Sequence, residues 1–461
     1  MGADQPVSPQ TPQRPRGPQK DSEIRRLLKQ AASELGAHAW IVGGYVRDVL
    51  LGRPHPDMDV VVEAGKGLDV AGRFAELAGA GAPVIFERFG TAQVTVPGHL
   101  VEFVSARAES YAADSRKPDV REATLDEDLR RRDFTVNTLL MDFDGNVHDL
   151  LGHGRADLEA RVLRTPADPM QTFSDDPLRM LRAIRFAAQL GFELAPELLP
   201  AMRELKDRLA SPVVSVERVA DELRKMLVSE RPGLALELLD QATLLEAILP
   251  EVAACKGVQQ SGYHTHDVFG HTVLAVAGTP PDVIVRLGAL FHDVGKPSTA
   301  GPDGTFLGHE VVGAEMVAGA LERLRFPQRE VDAVVLLVRL HLRPVFYASE
   351  WTDGAVRRLA RDAGPHLKRV MALARADIAA SAYPHPEKLD ELQRRIDQVL
   401  AEQPSRMAAP VDGEDIMRVR RIPPGPEVGR IKQRLTELVM DGVIGPTRDA
   451  VLAYLESHPD L

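Results

Sequence analysis

The sequence predicts an α+β protein, a small mixed α/β head followed by an elongated, mostly helical body. Three observations carry that reading. Short runs rich in β-branched and aromatic residues fall between Ala39 and Phe143. Beyond about Asp157 apolar residues recur at helical spacing nearly to the C-terminus. The chain has 461 residues, 44% apolar and 27% charged, an ordinary globular balance at a length that supports more than one core.

In order along the chain, residues 1–22 form a Pro/Gln-rich tail with too little apolar surface to order itself. From Ser22 an amphipathic helix pattern starts (Ile24, Leu27, Leu28, Ala31, Leu35). The head, residues 23–152, then carries strand-like runs at Ala39–Val42, Met58–Val62, Pro83–Phe86, Ala92–Val96, Leu100–Ser105 and Leu139–Phe143. The body divides into a helical neck (153–250), a metal-binding region (251–390) and a helical tail region (391–461). Pro212, Pro232, Pro250, Pro281, Pro327 and Pro384 break it into helices of ordinary length.

Composition excludes several classes. A net charge of −11 argues against a protein that coats DNA or anionic membranes. The single cysteine, Cys255, excludes a disulfide scaffold and a thiolate zinc site and points to a reducing compartment. No apolar run approaches the ~18–20 residues of a membrane helix. A cytoplasmic protein without a membrane partner is expected.

Ile41-Val42-Gly43-Gly44-Tyr45-Val46-Arg47-Asp48 reads as strand, tight glycine turn and helix. Such a turn brings backbone close to a phosphate and offers the free N–H groups of a helix start. Asp57-Met58-Asp59 opens the next strand, and residues two apart share a strand face. Two carboxylates held that close repel unless a cation joins them, so the pair suits Mg²⁺ with room for phosphates. Glu102, inside the apolar run Leu100–Val104, is either a third ligand or one half of an ion pair. Further on, Arg131, Arg132, Asp133 and Asn137 stand in the run Asp128–Asn137, where guanidinium forks suit triphosphate oxygens and Asp and Asn suit ribose hydroxyls. Arg179, Arg182 and Arg185 follow Asp175-Asp176 at i, i+3 and i+6 on a helix, a basic stripe with about 60° of drift per step. Cytosine and adenine both present an exocyclic amine beside a ring-nitrogen acceptor. A carboxylate with an arginine, Asp176 with Arg179, offers the complement.

Taken together, Gly43-Gly44-x-x-Arg47-Asp48, Leu51-Gly52 and Asp57-x-Asp59 resemble the polymerase-β-type nucleotidyltransferase signature. More narrowly they resemble bacterial class II tRNA nucleotidyltransferases, the CCA-adding enzymes, and the related poly(A) polymerases. Arg-Arg-Asp-Phe-Thr-x-Asn at 131–137, Asp149-x-x-Gly152 with Asp157-Leu158, Asp176-x-x-Arg179 and the helix from Ser215 match that family in order, although Asp175 stands where the family has Glu. The resemblance implies a polymerase-β-like head. It implies Mg²⁺ on Asp57 and Asp59, with Glu102 beside them as catalytic. It also implies a nucleotide site made by Gly43, Gly44, Arg47, Asp48, Arg131, Arg132, Asp133, Asn137, Asp176, Arg179, Arg182 and Arg185. The segment Glu109–Val120 looks like the family's loop needed for adding A after C. The implied reaction is template-independent addition of C and A to a tRNA 3′ end from CTP and ATP. Poly(A) synthesis or A-only addition is the alternative within the family.

A second set lies in the body. His271, then His292-Asp293-Val294-Gly295-Lys296, then Asp377 resemble the HD phosphohydrolase superfamily. That resemblance implies a divalent metal of unspecified identity on His271, His292, Asp293 and Asp377, with His309 and His341 as the added ligands of two-metal variants. Imidazole and carboxylate together suit several divalent metals. An HD-type phosphohydrolase is therefore the reading from another class. His264 and His266 are expected to be structural. The stretches Gly413–Met417 and Pro424–Gly429 look like the bacterial family's tail. The sequence leaves the oligomeric state open.

Overall fold

The structure, a computed structural model, describes residues 21–53, 57–86, 90–110, 119–209, 214–260, 262–263, 265–402 and 408–461. The Pro/Gln-rich segment 1–20, the middle of the Glu109–Val120 loop, Pro212 and His264 lie outside the described residues. The chain divides into two units: residues up to Ala183 with Phe192–Val214, and Ile184–Gly191 with Ser215–Leu461.

The first unit opens with helix α1 (Asp21–Glu34), strand β1 (Ala39–Val42), helix α2 (Gly44–Leu50), strand β2 (Asp57–Val62) and helix α3 (Gly67–Ala78). Strands β3 (Val84–Phe86), β4 (Thr91–Val96) and β5 (His99–Ser105) follow, then a hairpin of β6 (Arg107–Ser110) and β7 (Asp119–Glu122). After α4 (Leu125–Arg130) come β8 (Leu140–Met141) and β9 (Val147–His148). Seven strands form one sheet in the order β3-β4-β5-β2-β1-β8-β9. Strand β2 runs antiparallel to β1 and parallel to β5. Its Val60, Val61 and Val62 are fully buried, as a central β-branched strand requires. Helix α3 packs against α1 and over β4 and β5, so the functional end of β2 emerges from a braced sheet. The six expected strands are present, Leu139–Phe143 being cut to Leu140–Met141. The β6–β7 hairpin and β9 were not anticipated, because short charged strands carry no apolar alternation.

This unit reaches past residue 152, where the head was expected to end. Helices α5 (Gly154–Ala160), α6 (Pro169–Asp175) and the first turns of α7 (Leu178–Leu190) belong to it. The buried carboxylate of Asp157 accepts a 2.7 Å hydrogen bond from Thr135 Oγ1, and Thr135 N donates to Arg164 O at 2.8 Å. Those polar contacts tie the segment to the sheet unit.

Among its described residues, the regular elements of the second unit are all helices. Pro232 and Pro250 occupy first helical positions, where the missing N–H costs nothing. Pro281 precedes Asp282, whose Oδ1 accepts from Ile284 N at 2.8 Å and Val285 N at 3.2 Å. Helices Val268–Gly278, Val283–Phe291, His309–Arg323, Gln328–Leu340 and Leu367–Ala379 surround the histidine set. One apolar cluster joins Val356, Leu359, Met371 and Leu392, and another joins Ile416, Leu435, Val439 and Leu455. No helix among the described residues is long and apolar enough to cross a membrane.

Candidate active site and second metal centre

Asp57 and Asp59 stand two apart at the start of β2, and the register sets Asp59 beside Val42 on β1 and Glu102 on β5. The Asp59 carboxylate has no hydrogen-bond or ion-pair partner among the described residues. Burial is the largest influence on its carboxyl. Arg132 opposes it, Glu102 and Asp57 reinforce it, and the net effect pushes Asp59 up to about 6. Glu102 Oε2 accepts from Gln93 Nε2 at 2.9 Å. A sheltered carboxylate with acidic neighbours and no donor of its own fits a hard divalent cation. Gly43, at the β1–α2 turn, has φ +79°, and a Cβ there would lie 3.2 Å from Asp59 Oδ2 and 3.4 Å from Arg132 Nη1. Both its backbone angle and this close approach require glycine.

Two arginine networks flank the carboxylates. Asp128, fully buried near the end of α4, holds Arg131 Nη2 at 2.5 Å and Arg132 Nη2 at 3.1 Å. Burial would raise its carboxyl, but the two guanidinium groups outweigh that and hold it below the usual range. In the second network Arg47 reaches Asp48 through Nε at 2.8 Å and Nη2 at 3.0 Å, and Asn137 Oδ1 through Nη1 at 2.8 Å. Asn137 Nδ2 donates to Asp133 Oδ1 at 2.9 Å, and Arg182 Nε donates to Asp133 Oδ2 at 2.9 Å. Burial again works to raise Asp133, yet Arg182 and Asn137 keep it well below the carboxylate range. Arg179 is buried and donates to Arg131 O at 2.6 Å and Thr172 O at 3.3 Å. Asp176 Oδ1 accepts from Leu178 N at 3.1 Å at the start of α7.

In the second unit His271, His292, Asp293, His309, His341 and Asp377 converge. Each histidine Nδ1 faces a backbone carbonyl: Ala380 O at 3.3 Å, Ala289 O at 2.8 Å, Phe306 O at 2.7 Å and Val338 O at 2.6 Å, in that order. This pattern assigns the Nδ1 proton and turns every Nε2 inward. The Nε2 atoms of His271 and His292 are 3.2 Å apart, and those of His309 and His341 3.3 Å apart. Asp293 spans both pairs. Its Oδ2 lies 3.1 Å from His292 Nε2, and its Oδ1 lies 3.3 Å from His309 Nε2. Asp377 Oδ1 lies 3.0 Å from His271 Nε2. Facing ring nitrogens repel unless positive charge sits among them. Burial disfavours charge on His292, but Asp293 and Asp377 outweigh it and pull the ring up to about 9. His341, buried and near His292, falls to about 4. The donor set therefore fits divalent metal, and Asp293 faces both histidine pairs.

The poly(A) polymerase head-domain model matches residues 39–164, a probable RNA- and SrmB-binding site of polymerase A matches 191–256, and the HD domain matches 264–382. The A-adding tRNA nucleotidyltransferase of Deinococcus radiodurans is 32% identical across 89% of this chain and 94% of its own. The CC-adding tRNA nucleotidyltransferase of Thermus thermophilus is 35% identical across 90% and 93%. The chain belongs to the tRNA nucleotidyltransferase family. The crystal structure of the Bacillus stearothermophilus CCA-adding enzyme in complex with CTP superposes at a TM-score of 0.70, with 26% identity over 95% of this chain and 98% of that one. The mixed-sheet head, helical body and HD domain expected for this family are all present.

Within this tRNA nucleotidyltransferase the first unit gathers Gly43, Gly44, Arg47, Asp48, Asp57, Asp59, Glu102, Arg131, Arg132, Asp133, Asn137, Asp176, Arg179 and Arg182. Arg185 differs. It lies in the second unit, paired with Glu222 Oε2 at 2.8 Å and stacked 4.1 Å over the Phe186 ring. The helical drift of about 60° per three residues turns it off the face that Arg179 begins. Asp149 accepts from Gly152 N and Arg155 N, both at 3.0 Å, which makes that motif a folded turn. Asp267 caps the helix that carries His271 through a 2.8 Å bond from Gly270 N, and His266 is exposed. Two residues were given no role in advance. Asp128 sits three and four residues before Arg131 and Arg132, the helical pairing distance, and that spacing was its signal. Lys296 Nζ lies 2.7 Å from Asp293 Oδ2 and also donates to Gln260 Oε1 at 2.5 Å. Nothing local in sequence links Lys296 to Gln260.

Proposed function

We propose that this tRNA nucleotidyltransferase adds C and A, from CTP and ATP, to the 3′ end of tRNA without a nucleic-acid template and releases pyrophosphate. The observation that carries the reading is the grouping, in one unit, of the Asp57–Asp59–Glu102 carboxylates with anchored arginines and the Asp176–Arg179 pair. Mg²⁺ held by Asp57 and Asp59 would supply activation of the RNA 3′-hydroxyl and neutralisation of triphosphate charge. The 3′-oxygen forms a bond to the α-phosphorus as the α–β bridging bond breaks, so the protein's work is alignment and charge stabilisation. Arg131 and Arg132 bind the triphosphate, and Asp133 and Asn137, held by Arg182 and Arg47, meet the ribose. Asp176 accepts from the exocyclic amine of C or A while Arg179 donates to the ring nitrogen. Uracil and guanine would set a carbonyl against the carboxylate. Arg185 contributes by bracing its helix. The reaction is read as cytoplasmic, in keeping with the single cysteine.

The relatives named above divide between A-adding and CC-adding enzymes. The test therefore uses tRNAs ending before CCA, at C and at CC, with CTP and ATP singly and together. Full CCA products are expected from all three. Growth of long A tails, or A incorporation on the CC end alone, would replace this reading by its relatives' narrower or broader ones. Asp59→Ala should abolish incorporation while tRNA binding stays within a few-fold.

The histidine centre supports a second, metal-dependent phosphohydrolase reading, carried by the bridging position of Asp293. The metal there is left open among the borderline divalent ions.

A further inference from the structure

The head site contains one guanidinium with two carboxylates in reach. Arg132 pairs with Asp128 through Nε at 3.2 Å and Nη2 at 3.1 Å, and with no other carboxylate among the described residues. Its remaining nitrogen, Nη1, and Asp59 Oδ2 both lie within 3.4 Å of the point beside Gly43 where a Cβ would stand. Both atoms therefore border one small space beside Gly43. Asp128 is fully buried and also holds Arg131 at 2.5 Å, so two adjacent cations share this carboxylate. Arg131 has a second restraint through its backbone, since its carbonyl accepts from Arg179 at 2.6 Å. Arg132 has none.

We infer that Asp128 is a positioning residue that keeps the Arg132 guanidinium from closing on Asp59, and so leaves that carboxylate available to a divalent cation. Without the Asp128 charge, Asp59 is the carboxylate that shares the space beside Gly43 with Nη1. An Arg132–Asp59 ion pair would occupy the oxygens that the cation needs, because one carboxylate cannot fully satisfy a fork of N–H donors and a metal at once. The inference rests on the assignment of the head cation to Asp57 and Asp59.

The test is a Mn²⁺ titration of the full chain, followed by electron paramagnetic resonance of free Mn²⁺, without nucleotide or tRNA. The component lost in Asp59→Asn defines binding at the head and separates it from the histidine centre. Asp128→Asn keeps the side-chain shape and removes the charge. It should weaken that head component at least tenfold. The double variant Asp128→Asn/Arg132→Gln removes the competing guanidinium and should restore it to within about threefold of the parent, although triphosphate binding stays poor. A merely structural Asp128 would give no such rescue. Retention of the component in Asp128→Asn, or its loss in the double variant, overturns the inference. Should Asp128→Asn fail to fold, loss of the head component in the double variant still overturns the inference. If Asp59→Asn removes no Mn²⁺, the assignment of the cation to Asp57 and Asp59 has failed instead.

Discussion

At Gly43 two demands meet in one residue. The β1–α2 turn needs φ +79°, and the space a side chain would fill is shared by Asp59 Oδ2 and Arg132 Nη1. Gly36 provides the comparison, with φ +55° and nothing within 4 Å. Ala at Gly36 meets a backbone cost of about 1 kcal/mol, and Ala at Gly43, where φ +79° is joined to ψ −140°, meets a larger one because that region belongs essentially to glycine. Only Gly43→Ala also pushes on the carboxylate and the guanidinium, so it should lower kcat/KM for CTP incorporation at least tenfold. Gly36→Ala should lower Tm by a few degrees and leave kcat/KM within twofold. Equal kinetic losses in the two variants would mean that the Gly43 contact has no part in the site. The pattern Gly-Gly followed by Asp-x-Asp was legible because both residues are functional by type. Asp128 was not, because a carboxylate next to an arginine pair reads equally well as a solvated charge run, and only its complete burial distinguishes it.

Elements were legible wherever burial imposes a period. Val60–Val62 and Leu140–Met141 marked inner strands, and Pro232 and Pro250 marked helix starts. Helix ends were not legible, because the groups that satisfy them come from far along the chain. Arg286 is the clearest case. It is buried, with no carboxylate partner among the described residues, and it donates through Nη1 to Leu227 O and to Ser229 O at 2.8 Å, and through Nη2 to Thr279 O at 3.3 Å. Two helices, Val216–Leu227 and Val268–Gly278, therefore end on one guanidinium, whose positive charge suits the negative end of each helix dipole. Burial works against that charge. Arg286→Met keeps an unbranched apolar stem and removes the donors, leaving buried carbonyls unpaired. The expected cost is about 2–4 kcal/mol, seen as a fall in Tm of roughly 5–15 °C. Arg286→Lys, with one ammonium in place of a fork, should recover only part of it. A Tm for Arg286→Met within two degrees of the parent would show that the two helix ends find other donors.

Across the whole chain a net charge of −11 seems poorly suited to an enzyme that handles triphosphates and RNA. The structure resolves this by pairing. Asp128 and Asp133 are committed to arginines, while Asp57, Asp59, Asp293 and Asp377 face sites suited to cations. Cation uptake is therefore part of the charge balance of the native state, and it should register in stability. A ligand that binds only the folded chain stabilises it by mass action, ~2.7 kcal/mol at a hundredfold excess over Kd, or about 5–10 °C for a unit of this size. Chelator-treated protein should gain a shift of that order on addition of Mn²⁺. Asp293→Asn should lose most of it, because one carboxylate faces both histidine pairs. His309→Ala/His341→Ala removes one pair only. It should halve the metal bound at this centre, counted by atomic absorption after desalting, and leave the His271, His292 and Asp377 group loaded. If Asp293→Asn and the double histidine variant bind the same amount of metal, Asp293 does not bridge, and the centre holds a single ion.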